Sequence, residues 1–114
     1  MENVILKKTI AFSLETIEYV ELLEEKRKFV IANQLLKSST SIGANVHGAQ
    51  NAESKNDFIH KFKIAAKEIE ETKYWLILCG NSINYPPCGH LSEMLFEIEK
   101  IVSKIISTSK AIIS

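Results

Sequence analysis

Residues Ser54 to Leu78 read SKNDFIHKFKIAAKEIEETKYWLIL, and the spacing of their apolar members decides the class of fold. Phe58, Phe62, Ala65, Ile69, Thr72 and Leu76 recur at helical intervals and fall within about 40° of one direction, which predicts a long helix facing a core. Ser54, followed three residues on by Asp57, resembles a capping box and marks where that helix begins. Tyr74, Trp75, Ile77 and Leu78 add apolar surface off the main stripe near its end.

The same period runs outward in both directions. Upstream, residues 29–51 carry only one charge, Lys37. Ile31, Ala32, Leu35, Leu36, Ile42, Gly43, Val46 and Ala49 share one face there, and Gln34, Ser38, Ser41, Asn45 and Gly48 form an uncharged stripe on another. The run SSTSIGANVHG is a poor helix by propensity, because Ser, Thr, Asn and Gly compete with or loosen the helical backbone. A helix there must be held by packing, and a loop over residues 38–43 that splits the segment is the alternative. Residues 3–25 present two stripes, Leu6, Ile10, Leu14 and Ile17 beside Ile5, Phe12, Tyr19 and Leu23, spanning an arc of about 220°. One stripe is more than one core needs and is expected to face another subunit. Downstream, Pro86 and Pro87 lie in NSINYPPCGH, a loop because proline removes a donor and disfavours helix before it. From about Ser92, Leu91, Met94, Leu95, Ile98, Ile101, Val102, Ile105, Ile106, Ile112 and Ile113 line a final helix, opposite Glu93, Glu97, Lys100 and Lys104. Four comparable rods with short links at 26–28 and 52–53 predict an all-α, antiparallel up-down-up-down four-helix bundle, one domain over residues 1–114.

Composition narrows the function. The chain has 114 residues, 46% hydrophobic and 25% charged, with 14 Lys+Arg against 14 Asp+Glu. That balance excludes intrinsic disorder, and zero net charge supplies no global pull towards nucleic acid or acidic membrane, so such a partner needs a local patch. No apolar run approaches the ~18 residues of a membrane span, and the start MENVILKKTIAF lacks a secretory pattern, so a cytoplasmic protein is expected. Cys79 and Cys88 form no CxxC and are read as thiols without chemistry. His47, His60 and His90 lack metal-ligand spacing, Ser38, Ser39 and Ser41 lack a nucleophile turn, and Glu68, Glu70 and Glu71 read as a solvated face pairing with Lys67 or Lys73. No enzyme, cofactor or metal site is expected.

Basic residues remain. Lys26, Arg27 and Lys28 form a compact positive link, and the Ser54 helix carries Lys55, Lys61, Lys63 and Lys67. In a monomer they are an ordinary mixed surface. In a symmetric ring each patch repeats once per subunit, and backbone binding to RNA or DNA could follow.

The stretch from Ser38 to Cys79 resembles the signature of the four-helix-bundle family named after proteins encoded in intervening sequences of bacterial 23S rRNA genes, to which the accessory variability determinants of diversity-generating retroelements are similar. The pieces that carry it are Gln34–Leu36, Ser41–Asn45, Ser54, Asp57–Phe58, Ala65 with Glu68, Glu71–Thr72 and Tyr74–Leu76. His47 and Gly48 stand where the family usually has a Glu soon after the Asn matching Asn45. The resemblance implies a homopentameric ring without catalytic activity. In the retroelement branch it implies a basic assembly that binds nucleic acid and a reverse transcriptase, from whose strong charge this neutral chain departs. On this reading Ile5, Phe12, Tyr19, Leu23, Tyr74, Trp75 and Leu78 are the expected interface between copies. The expected partners are further copies of the chain, RNA or DNA at the lysines, or another protein on a scaffold that touches no nucleic acid.

Overall fold

The computed structural model describes residues 3–113, without the side chain of Ile113. Its helices are α1 (Val4–Glu25), α2 (Phe29–Ala49), α3 (Lys55–Asn81) and α4 (Gly89–Ile113). Each helix meets its neighbours in the cycle α1, α2, α3, α4. Contacts fix the directions. Thr9 meets Gly43 while Asn3 meets Gln50, so α1 and α2 run oppositely. Ser38 meets Thr72 while Gly48 lies under Lys61, so α2 and α3 do the same. Lys73 reaches Glu99 on α4, and Glu15 reaches His90 to close the cycle. The chain is thus an all-α four-helix bundle of 48 × 25 × 21 Å.

Helix α2 is unbroken, so the alternative of a loop over 38–43 is overturned. Its weak propensity is offset in two ways. The hydroxyls turn back onto their own helix: Thr40 donates to the Leu36 carbonyl at 2.7 Å and Ser41 to that of Lys37 at 2.7 Å, so no polar group is stranded. Small residues then let helices close in: a Cβ built on Gly43 would lie 3.3 Å from the Thr9 Cβ. The Ser38 and Thr72 hydroxyls bond each other at 2.9 Å inside the core, tying α2 to α3. Around them Leu35, Ile42, Val46, Phe62 and Ile69 are almost wholly buried, each contributing about 1.5–3 kcal/mol of apolar burial.

The α3 start is as the sequence predicts: Ser54 Oγ accepts from the Asp57 amide at 3.0 Å, and Asp57 Oδ2 accepts from the Glu53 amide at 3.1 Å. Helix α4 begins at Gly89, ahead of the expected Ser92, because the Cys88 carbonyl already accepts from Leu91 and Ser92. Leu91, Leu95, Ile98 and Val102 fill the core, whereas Ile112 is exposed near the end of α4. Ile113, counted in that stripe from sequence, has its side chain outside the described residues.

Candidate functional site

The lysines and arginine expected to hold nucleic acid do not form one patch. The antiparallel fold sends Lys26, Arg27 and Lys28 to one end of the bundle and Lys55, Lys61 and Lys63 to the other, with Lys67 part-way along α3. At the first end the backbone of Arg27 and Lys28 closes a helix. Arg27 takes a left-handed φ of 63°, its amide donates to the Glu24 carbonyl at 2.9 Å, and the Lys28 amide donates to that of Leu23 at 2.8 Å. That pattern closes α1 as a Schellman motif, in the position usually given to glycine. The Lys28 ammonium lies 5.4 Å from the centre of the Tyr85 ring, against the proline loop, and exposed Glu24 and Glu25 offset part of the positive charge.

The opposite end gathers cations from three helices. Lys61 pairs with Asp57 at 3.5 Å, but Lys55, Lys63 and Lys104 make no ion pair among the described residues. Lys7 and Lys110 lie on the same end. Sequence reasoning missed Lys104 and Lys110 as members of this group. The signal was available in the topology, since in an antiparallel bundle the last turns of α4 must stand beside the first turns of α3.

The expected interface divides in two. Ile5, Phe12, Tyr19 and Leu23 are between 0% and 3% exposed, so this stripe of α1 is the chain's own core and cannot meet another copy. The other stripe is the outer one: Ile10, Leu14 and Ile17 stand 50%, 59% and 40% exposed. Beside them runs a shallow apolar cleft lined by Thr40, Gly43, Ala44 and His47 of α2. On the other side of the cycle, Tyr74 is exposed as expected and packs edge-on against Trp75 at 5.2 Å, with Trp75 and Leu78 half-buried. The buried indole Nε1 of Trp75 finds no acceptor among the described residues. Exposed Ile77 and Phe96 extend this side and frame a second cleft with Leu76 and Leu95, next to the Lys73–Glu99 bridge of 2.6 Å.

Burial and pairing shift a few titratable groups of the bundle. Burial pushes the Cys79 and Cys88 thiols up, keeping them protonated beside the Tyr19 hydroxyl. Tyr19, also raised by burial and then by the two thiols, donates to the Pro86 carbonyl at 2.7 Å. Burial, and next the Glu71 carboxylate, raise Glu68, whereas a hydrogen bond from Lys73 lowers Glu70. No group of three or more His, Cys, Asp or Glu side chains among the described residues is placed to hold a metal ion. No described helix is long and apolar enough to cross a membrane.

Comparison with known proteins fits this geometry. No curated protein matches the chain. A solved structure does: the 1.70 Å crystal structure of a protein of unknown function from the S23 ribosomal protein family of Bacteroides thetaiotaomicron VPI-5482 is 36% identical. The match covers 90% of this chain and 97% of that one, with a TM-score of 0.82. The family model of the 23S rRNA-intervening sequence protein matches residues 1–107. Neither relative indicates a catalytic function. With its four-helix bundle, its small-residue α2 and the Ser54 cap, the chain belongs to the 23S rRNA-intervening sequence protein family.

Proposed function

We propose that the protein is a non-enzymatic accessory factor that assembles into a homopentameric ring in the cytoplasm and holds nucleic acid by its backbone, without reading sequence. The observation that carries this reading is that, apart from apolar residues exposed near the helix ends and in the α3–α4 loop, the exposed apolar residues along the helices form two unlike bands on different sides of the bundle. One is Ile10, Leu14 and Ile17, and the other is Tyr74, Ile77 and Phe96. Two unlike faces on one subunit make a head-to-tail contact, which closes into a ring when the rotation allows. A ring would also set the lysine-rich ends of all subunits side by side, turning a weak local charge into a continuous basic rim.

Light scattering gives the mass of the assembly, and a salt titration of nucleic-acid binding tests the rim. The expected result is binding at about 50 mM salt whose log affinity falls linearly with log salt. No binding at that salt would overturn the nucleic-acid half of the proposal. The zero net charge of the chain favours a second reading, a ring-shaped scaffold for another protein with no nucleic-acid contact. Full assembly without binding at low salt is the result that selects it.

A further inference from the structure

The geometry points to single-stranded nucleic acid as the form held at the lysine-rich end, with an unpaired base laid against Phe58. This rests on the backbone-binding reading above and adds what the phosphate lysines cannot supply, a preference for strands whose bases are free. Phe58 is half-buried, 4.9 Å from the Phe62 ring, and forms the shared wall of two clefts at the mouth of the bundle. One, of about 240 Å³, is walled by half-buried Phe58 and Ile105 over the buried Ile5 and Phe62 side chains, and edged by Asn3, Gln50 and Lys104. The other, of about 320 Å³, is more polar and is edged by Ser54, Lys55 and Ser109.

The chemistry of the two halves matches the two halves of a nucleotide. A planar base is apolar on its faces and polar on its edges, so it suits a floor of aromatic and aliphatic side chains rimmed by amides. The Asn3 and Gln50 amides are already aligned, with Asn3 Nδ2 donating to Gln50 Oε1 at 3.3 Å and Gln50 Nε2 donating to the Val46 carbonyl at 3.0 Å. Lys55 and Lys104 stand on either side of Phe58, exposed and outside any ion pair among the described residues, where the phosphates flanking a stacked base would pass. Charge complementarity selects this occupant over an apolar peptide. A duplex cannot use the ring, since its bases are stacked on one another.

Fluorescence anisotropy on the whole protein tests the inference, with an oligothymidylate and an oligouridylate of about ten nucleotides and a duplex of the same length. Both sugars are run because stacking and phosphate contact are common to them. The expected result is tighter binding of the single strands than of the duplex. Phe58→Leu should lower single-strand affinity about tenfold and leave duplex affinity unchanged. Lys55→Ala with Lys104→Ala, both at exposed positions that leave the fold intact, should weaken both and reduce the salt slope by about two. Duplex binding as tight as single-strand binding, or Phe58→Leu folded by circular dichroism with single-strand affinity unchanged, overturns the inference while leaving backbone binding standing. Absence of binding to every probe at low salt removes both.

Discussion

Phe12, Tyr19 and Leu23 on one side of α1 are at most 3% exposed, while Ile10, Leu14 and Ile17 on the other side are 40–59% exposed, although the exposed set is wholly aliphatic and the buried one carries a hydroxyl. Hydropathy alone does not separate them; their neighbours on the helix do. The inner stripe runs with Thr9 and Thr16, whose hydroxyls donate to the Ile5 and Phe12 carbonyls at 2.9 and 2.8 Å and so enter the core with no unmet hydrogen bond. The outer stripe is interleaved with exposed Lys7, Glu18 and Glu21, which desolvation keeps at the surface. An arc too wide for one core is turned so that its uncharged side goes in. What is left outside is an apolar face available for contact between copies.

Substitutions on the two sides should separate folding from assembly. The largest effect is expected from Phe12→Ala, which empties the centre of the bundle and should cost about 3–5 kcal/mol in urea unfolding. A loss below about 1 kcal/mol would show that the inner stripe is not the core it is taken for. Next comes Ile10→Glu with Leu14→Glu, which should leave helicity intact and reduce the scattering mass to the 12.9 kDa of one chain. An unchanged mass would remove α1 from the contact. Tyr19→Phe keeps the ring but deletes the hydroxyl that holds the Pro86 carbonyl, and should lower stability by about 1 kcal/mol with no change in mass. The smallest effect belongs to the end of α1 that neither stripe covers. Arg27→Gly relieves a left-handed residue and should raise stability by about 0.5–1 kcal/mol, with nucleic-acid affinity unchanged. A fall in affinity there would return the α1–α2 turn to the binding surface.

Much of the fold was legible because the residues that carry it act locally. The stripe from Phe58 to Leu76, the Ser54 cap and the paired prolines each specify a helix, a start or a break within a few turns of chain. The continuity of α2 was less legible, since it depends on Thr9 of another helix closing on Gly43 and on the Thr72 hydroxyl meeting Ser38. The choice between the α1 stripes needed charge as well as hydropathy. Lys7, Glu18 and Glu21 held that answer, but an apolar count passes over them. The candidate site was the least legible part. Cations adjacent in sequence, Lys26, Arg27 and Lys28, lie at a turn whose backbone closes α1, and those that share the other end of the bundle, such as Lys55 and Lys104, come from the first turn of α3 and the second half of α4. Only the direction of each rod brings them together.

Two apolar bands left uncovered on one subunit are the ground for proposing that copies of this chain gather. Light scattering on the purified protein at physiological salt tests that most directly. A ring of five gives a single species of about five times the 12.9 kDa chain mass, and a species that remains at one chain mass as concentration is raised rules the ring out.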